Sequence, residues 1–431
     1  MKTKVNVLAL AILFIALACP SLAQTEQAGC PCHDAIDRLK ETYETDPDFK
    51  ALIDSAFKNL KQLPTEEYPR DKYPNGNPWI GRDLSDLLQF LREWCIFLPT
   101  TEGSSDSGLK YIQEFAFFYY RNPDGVRFVR QSPGREIMQD FARQRGKFMD
   151  SPASTREIAN WLQNPRIEKE DYNLPDPTAP DGGFKSFNEF FARTLKDQAK
   201  SRPQTMPERD YVISAPTDVI MNSIPQRIVN ARTKIPTKMN QAFSIGEMLD
   251  GSKYAKKFIG GTALSCVLMP NTYHHYHAPV NGHVVETKII QDAFYGFDNF
   301  PKWVPPDGNV GYHGTDFSQF ENFQRGYFIV DTGAYGHVAI IPVGLNTISS
   351  VVFEENFMHL KKPVPIKRGD RLGHFMYGGS LVILVFEPDR YKSDAIQVRL
   401  GNQIGTFDTK TDKTRHKKRR KRTNAGRKRS K

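Results

Sequence analysis

Histidines are concentrated in one short segment of the second half of the chain. Four of the ten histidines fall within Tyr-His-His-Tyr-His-Ala-Pro-Val-Asn-Gly-His, residues 273–283. A neutral imidazole can serve as a general base or as a metal ligand. In an extended segment His275 and His277 would share a face, whereas in a turn His274 and His277 could converge. A purely structural role for these histidines is the alternative.

A Gly-Gly-Ser turn (residues 378–380) stands directly before the apolar run Leu381–Phe386. Two glycines open backbone conformations that other residues rarely adopt, and Ser380 brings a hydroxyl nucleophile to the start of the expected strand. A serine-hydrolase elbow would read Gly-x-Ser-x-Gly and lead into a helix, which this segment does not do. Taken alone, the turn is a weak signal of a catalytic site.

A carboxylate lies in a third segment of interest, the turn-like stretch Ser214–Asp218. Asp218 could simply cap the turn. That interpretation would hold if the segment stood alone, and the segment becomes of interest only together with the other two. Asp218, the histidine segment and Ser380 are therefore the candidate site residues.

Together these segments resemble the phosphatidylserine decarboxylase family of pyruvoyl-dependent enzymes. Residues 187–193, followed by Arg202-Pro203, resemble its opening motif, and residues 215–218 resemble its Ser-Pro-Ala-Asp-Gly turn. Residues 273–282 resemble its Tyr-His-Arg-x-His-x-Pro-x-x-Gly segment, and residues 367–380 resemble its self-cleavage site. Order and spacing agree across about residues 184–388. Two departures are Val219, where the family usually has glycine, and Leu381, where many members have threonine.

The resemblance implies that the chain cuts itself between Gly379 and Ser380 and that Ser380 becomes a pyruvoyl group, the family's electron-accepting cofactor. It also assigns roles to three other residues. His277 would be the base that activates Ser380, Asp218 would orient His277, and His274 would contact the substrate and return a proton to it. The expected activity is that of a carboxy-lyase that converts phosphatidylserine to phosphatidylethanolamine and carbon dioxide, without a metal.

Three alternatives remain open at this point. The helical region is similar to that of a fungal branch whose members decarboxylate tryptophan, so a free aromatic amino acid is an alternative substrate. An exported zinc peptidase would use the histidines as ligands, although the helical His-Glu-x-x-His is absent. A catalytically inactive relative that binds polyanions through its basic tail would remain one uncut chain.

The elements that must position these segments form a helical part and a β-rich part. The chain has 431 residues, 39% hydrophobic and 25% charged, which excludes a collagen-like, wholly disordered or polytopic membrane protein. Up to about residue 164 apolar residues recur at helical spacing, as at Phe49, Ile53 and Phe57. Ser154 and Glu157 predict a capping box that opens a further helix.

Beyond Tyr211 short apolar runs alternate with Gly, Pro and Asn, which is typical of antiparallel sheets. Such runs are Leu264–Met269, His283–Ile290, Tyr327–Asp331 and Leu381–Phe386. The predicted fold class is α+β, a helical N-terminal domain followed by a β-rich pyruvoyl-dependent decarboxylase domain. The predicted boundaries are 24–165 for the helical domain, 166–184 for a linker and 185–408 for the catalytic domain.

Both ends of the chain carry signals of location. Residues 1–23 have the layout of a signal peptide, so we expect an exported protein that is periplasmic, secreted or peripheral at a membrane. Residues 410–431 contain 13 Lys and Arg against one acid. We expect a disordered basic tail over 409–431 that could bind anionic lipid headgroups. Nucleic acid is not an expected partner of an exported protein.

Cleavage of the signal peptide would leave four cysteines, Cys30, Cys32, Cys95 and Cys266. An exported protein can form disulfides. Cys30 and Cys32 are too close in sequence to favour a bond with each other, so one of them could reach Cys95. The cysteines are interpreted as structural or free thiols and not as catalytic groups.

Overall fold

The computed structural model describes residues 31–100 apart from 66, 67, 69 and 72, and residues 110–227, 245–291, 324–345, 351–392, 397–398 and 400–407. The predicted signal peptide and basic tail, together with Cys30, lie outside the described residues. No helix within the described ranges is long and apolar enough to span a membrane.

The N-terminal part is helical, as the apolar spacing predicts. Its helices are α1 His33–Thr45, α2 Pro47–Lys58, α3 Leu84–Ile96, α4 Lys110–Tyr119, α5 Pro123–Arg130, α6 Gly134–Met149 and α7 Ile158–Leu162. Aspartate side chains cap the N-termini of two of these helices. Asp46 accepts hydrogen bonds from the N–H groups of Asp48 and Phe49 at the start of α2. Asp83 and Asp86 form a capping box at the start of α3, which satisfies otherwise unpaired N–H groups.

The capping box predicted at Ser154 is wrong. Ser154 lies inside a 3-10 helix, Pro152–Glu157, and α7 begins without a side-chain cap. The Ser154 hydroxyl donates to the carbonyl of Ser151 and accepts from the N–H of Phe187. The side chain therefore joins the helical part to a later segment of the chain instead of starting a helix.

The remaining helices are short and lie among the strands. They are α8 Phe187–Phe191, α9 Gln198–Ser201, α10 Ile245–Met248 and α11 Glu355–Met358. The strands are β1 Val212–Ser214, β2 Val219–Arg227, β3 Thr262–Leu268, β4 His275–His277, β5 Gly282–Ile290, β6 Arg325–Asp331, β7 His337–Leu345, β8 Val351–Phe353, β9 Val364–Ile366, β10 Arg371–Phe375, β11 Gly379–Phe386, β12 Tyr391–Lys392, β13 Gln397–Val398 and β14 Gln403–Phe407.

The strands form one large sheet and two small ones. The eight-stranded sheet has the order β13-β2-β3-β11-β7-β6-β5-β9, and the three-stranded sheets have the orders β1-β14-β12 and β4-β10-β8. Every pairing between these strands is antiparallel. Helices precede antiparallel sheets, which confirms the predicted α+β class.

The large sheet is buried on both faces. On the central strand β11, Leu381, Ile383 and Val385 belong to a cluster that includes the N-terminal helices. Val382 and Leu384 belong to a second cluster that includes residues of β4, β8 and β10. Successive residues of a strand point to opposite faces, so the helices cover one face and the small β4-β10-β8 sheet covers the other.

The segment predicted as a linker, 166–184, packs against the rest of the protein. Ile167, Tyr172 and Phe184 are buried in a third apolar cluster. Tyr172 also forms a β-bridge with Leu195. Its prolines and glycines therefore lie in a segment that is packed against its neighbours and includes a short 3-10 helix, Lys169–Asp171.

One disulfide joins Cys32, directly before α1, to Cys95 on α3. This confirms that one cysteine of the N-terminal pair reaches Cys95. Cys266 on β3 is buried with a free thiol, and burial raises its pKa to about 12. A thiol that is protonated at neutral pH is a poor nucleophile, in agreement with the interpretation of Cys266 as structural.

Candidate active site

The register of the large sheet brings two of the predicted segments to the same sheet end. Val267 on β3 pairs with Ile220 on β2 and with Leu381 on β11. β2 starts directly after Asp218, and Ser380 is the second residue of β11. Neighbouring strands lie about 4.8 Å apart, so the starts of β2 and β11 are about 10 Å apart across β3.

The histidine segment runs alongside the residues that lead into the Gly-Gly-Ser turn. β4 pairs with β10, with His277 opposite Arg371 and His275 opposite His374. The N–H of Phe375 donates to the carbonyl of His274 at 2.9 Å. The same segment is bonded to the Asp218 turn, because the N–H of His277 donates to the carbonyl of Pro216 at 2.7 Å.

Ser380 is buried, with 2% of its surface exposed. Its Oγ has no hydrogen-bond partner among the described residues. A buried hydroxyl without a partner costs about 1–3 kcal/mol, so such an atom is uncommon in a folded protein. The backbone around it is held on both sides, opposite Leu268 on β3 and Gly344 on β7. The hydroxyl therefore has no hydrogen bond to lose before it reacts, and the backbone that carries it is held by the sheet.

His277 is held by two hydrogen bonds. Its Nδ1 lies 2.7 Å from the carbonyl oxygen of Gly369, and because a carbonyl only accepts, Nδ1–H is the donor. Its Nε2 lies 3.0 Å from the hydroxyl of Tyr273, which donates to it. Burial lowers the pKa of His277 to about 4. The imidazole is therefore neutral at pH 7, with a lone pair on Nε2 that can accept a proton.

Asp218 is held by Arg202 and not by His277. Nε of Arg202 lies 2.9 Å from Oδ1 of Asp218, and Nη2 lies 2.9 Å from Oδ2. The N–H of Leu400 donates to Oδ1 at 2.8 Å. Among the described residues the expected orientation of His277 by Asp218 therefore does not occur through a hydrogen bond. The guanidinium binds both carboxylate oxygens of Asp218, and Nδ1–H of His277 donates to the Gly369 carbonyl instead.

Arg202 was not among the predicted site residues. It is buried and also donates to Asp171 at 2.7 Å, so one guanidinium joins two carboxylates. The signal for it was present, because Arg202-Pro203 follows the opening motif in the sequence. The influence of Asp218 on His277 is electrostatic: its charge favours the protonated imidazole, against a larger opposite effect of Arg371.

His274 is buried against the opening motif. Its ring lies 3.6 Å from the ring of Phe191, and its Nδ1 lies 2.9 Å from the carbonyl oxygen of Thr272. Burial, and then the charge of Arg193, lower its pKa well below the usual value. Arg193 donates to the carbonyl of Asn271, one residue before Thr272. His274 is therefore neutral and oriented by its own turn.

The other two histidines of the segment differ from each other. His275 is buried and donates from Nε2 to the carbonyl of Ala192 at 2.7 Å, and its Nδ1 has no partner among the described residues. Burial lowers its pKa to about 3. His283 lies on β5 and is exposed. In the described part of the chain, no group of three or more His, Cys, Asp or Glu is arranged to hold a metal ion.

A family model for phosphatidylserine decarboxylase matches residues 187–406, about half of the chain. The chain belongs to the phosphatidylserine decarboxylase family. The matched residues include Asp218, His274, His277 and Ser380. Most of the helical part precedes the match.

Curated members of the phosphatidylserine decarboxylase family are similar over most of this chain. Phosphatidylserine decarboxylase proenzyme 3 of Schizosaccharomyces pombe is 29% identical over 65% of this chain, but the match spans only 27% of that protein. The proenzyme of Fusobacterium nucleatum is 28% identical over 72% of this chain and 90% of its own length. Decarboxylase iboD of Amanita muscaria is 29% identical over 69% of this chain and 81% of its own length.

Proposed function

We propose that the chain is a pyruvoyl-dependent carboxy-lyase that cuts itself between Gly379 and Ser380 and then decarboxylates phosphatidylserine. The observation that carries the proposal is the Ser380 hydroxyl, which is buried, lacks a hydrogen-bond partner among the described residues and stands at the family's self-cleavage position. Family membership supports the reaction class, and the named proenzymes support the substrate.

Self-cleavage needs no atom from outside except water. Oγ of Ser380 attacks the carbonyl carbon of Gly379, and the amide C–N bond breaks as the nitrogen takes up a proton, which leaves an ester. β-Elimination then releases a chain that ends in the Gly379 carboxylate. Hydrolysis of the remaining enamine releases ammonia and leaves a pyruvoyl group at residue 380. Sheet pairing on both sides of Ser380 limits the motion of the hydroxyl, which favours an attack of this kind.

His277 is the proposed base for this attack. A neutral imidazole is the form that can accept the Ser380 proton, and burial keeps His277 in that form. In the structure the Tyr273 hydroxyl donates to the accepting nitrogen, Nε2. The Tyr273 hydroxyl must therefore either move away from Nε2 or pass the Ser380 proton on to it.

The surroundings of Ser380 fit the group that would form there. Conversion of Ser380 removes the hydroxyl that now lacks a partner, so no hydrogen bond to it is lost. When present, a pyruvoyl group accepts the electron pair that carbon dioxide leaves behind. His274, neutral and held by its Nδ1, is the proposed residue that contacts the substrate and holds the proton that the substrate carbon finally receives.

A free amino acid is a second candidate substrate. It follows from the resemblance of the helical region to a fungal branch that decarboxylates tryptophan. A relative named only as a decarboxylase, iboD, is as similar to this chain as the named phosphatidylserine decarboxylases and is covered over 81% of its length. Carbon dioxide release would be compared for phosphatidylserine vesicles, phosphatidylcholine vesicles and free tryptophan. Release from tryptophan alone would replace the phospholipid assignment and leave the pyruvoyl mechanism in place.

Denaturing electrophoresis and mass spectrometry test the self-cleavage. We expect pieces of about 40 kDa and about 6 kDa after loss of residues 1–23, as estimated from residue counts. Ser380→Ala should give one uncut chain, and the small piece of the wild type should begin with a pyruvoyl group. An active wild type that stays uncut, or a small piece that begins with an unmodified serine, would refute the proposal.

A further inference from the structure

The residue before the Gly-Gly-Ser turn is anchored outside the large sheet. Tyr377 is 3% exposed, and its N–H donates to Oδ1 of Asn188 on α8 at 3.0 Å. Its ring meets the rings of Phe187 and Phe191 edge-on, each with 5.4 Å between centroids. The position of Tyr377 limits where the proposed scissile bond can lie, because only Gly378 and Gly379 separate Tyr377 from that bond.

A buried arginine of the helical part also contacts Tyr377. The guanidinium carbon of Arg145, on α6, lies 5.4 Å from the centre of the Tyr377 ring. Arg145 is itself fixed, because Nε donates to the carbonyl of Trp94 at 3.0 Å and Nη2 donates to that of Phe97 at 2.7 Å. A desolvated cation over an aromatic ring is attracted by the negative face of the ring. The end of α3 is thus connected through Arg145 to the residue before the turn.

Two further bonds hold the end of α6 to α8. Asp150, directly after α6, accepts at 2.8 Å from the side-chain amide of Asn188, the residue whose Oδ1 binds Tyr377. Ser154 accepts at 2.8 Å from the N–H of Phe187. The helical part therefore reaches Tyr377 directly through Arg145 and indirectly through Asn188.

We propose that Arg145 is a positioning residue for self-cleavage, which it serves by holding Tyr377 so that the Gly379 carbonyl meets the Ser380 hydroxyl. This inference rests on the self-cleavage proposed above. An attack within one chain depends strongly on geometry, and a shift of 1 Å can cost about 100-fold in rate. On this proposal the helical part has a specific task in maturation besides covering the sheet.

Cell-free synthesis provides freshly made precursor, and the fraction cut is followed with time on denaturing gels. We expect Arg145→Met to slow cleavage about tenfold or more, since it removes the cation and both carbonyl contacts. Arg145→Lys should recover part of the rate, because it keeps a cation near the ring. The matched control is Arg143→Met, which removes an exposed arginine of the same helix that pairs with Asp140 and should cleave at the wild-type rate.

A double-mutant cycle shows whether Arg145 acts through Tyr377. Tyr377→Leu should also slow cleavage, and Arg145→Met should add little in the Tyr377→Leu background. Unfolding midpoints, measured on the uncut Ser380→Ala background, separate these rate effects from a general loss of stability. If Arg145→Met does not fold, Arg145→Lys and Tyr377→Leu carry the test.

The inference is overturned if Arg145→Met cleaves as fast as Arg143→Met, if the effects of Arg145→Met and Tyr377→Leu multiply, or if Tyr377→Leu cleaves at the wild-type rate. A wild type that never cuts itself would instead overturn the proposed function. The two failures are therefore distinguishable.

Discussion

Three buried histidines of the 273–283 segment are neutral because the fold removes them from water. His274, His275 and His277 are each no more than 3% exposed, and burial is the largest cause of the lowered pKa of each. Each ring also has one nitrogen bonded to a backbone carbonyl. That bond selects the tautomer and leaves the second nitrogen as an acceptor, which is the state that proton transfer requires.

The same burial predicts a loss of stability in mild acid. The unfolded chain takes up protons near pH 6.5, whereas the folded His277 resists protonation down to about pH 4. The free energy of unfolding should therefore fall as the pH is lowered from 6.5 toward 4, by up to about 1.4 kcal/mol per pH unit for each such histidine. Urea unfolding of the Ser380→Ala chain between pH 7.5 and 5 measures how the free energy of unfolding depends on pH.

The control for this pH effect is His283→Gln, which changes an exposed histidine on β5 and should leave the pH dependence unchanged. His277→Gln should make it shallower. If the two variants show the same pH dependence, His277 is not a source of the effect.

Arg202 should be essential for stability because it neutralises a buried carboxylate. Removal of one partner of a buried ion pair costs about 3–5 kcal/mol, since the other charge stays buried without compensation. Arg202→Met should lower the free energy of unfolding by this amount, and Asp218→Asn added to it should recover a large part. Urea unfolding of both variants on the Ser380→Ala background measures this, and a double variant no more stable than Arg202→Met would contradict it.

At the scale of elements, the strands could be predicted but their partners could not. The apolar run Leu264–Met269 becomes β3, Thr262–Leu268, and Leu381–Phe386 becomes most of β11. Alternation reports which residues share a face, so it carries no information on which strand lies beside which. The neighbours β3 and β11 are separated by about 110 residues, and their pairing is what brings Ser380 and the start of β2 to one sheet end.

The disulfide is a link between elements that should contribute to stability. It closes a loop with a sequence separation of 63, and the loss of chain entropy in the unfolded state predicts a contribution of about 4 kcal/mol. Cys95→Ser should lower the free energy of unfolding by about this amount and make it insensitive to reductant. Cys266→Ser, at the buried free thiol, should keep the response to reductant. A wild type that unfolds identically with and without reductant would show that the bond contributes nothing.

At the scale of the whole molecule, the helical part and the β-rich part share one core. Leu381 and Ile383 on β11 belong to the same apolar cluster as residues of α1 to α6, although the family match begins only at residue 187. The four catalytic candidates are predictions from the family's motifs, each of which is continuous in sequence. The contacts between motifs could not be predicted, because the pairing of Arg202 with Asp218 exists only in three dimensions.

Charge is also distributed unevenly over the whole molecule, which argues for a surface role of the tail. The chain carries +10 in total, and residues 410–431 carry +12, so residues 1–409 sum to −2. A basic residue near an anionic membrane contributes about 1 kcal/mol. We therefore propose that the tail, and not the rest of the chain, binds anionic lipid. Replacing the six basic residues 417–422 by Gln should weaken binding to phosphatidylserine vesicles about 100-fold or more, whereas exchanging Lys and Arg among these positions should preserve it. Sedimentation with vesicles measures this binding, with phosphatidylcholine vesicles as the reference without net charge.

Because the substituted residues lie far along the chain from Ser380, self-cleavage should proceed normally in both variants. Equal sedimentation of the Gln variant and the wild type would place lipid binding elsewhere in the protein.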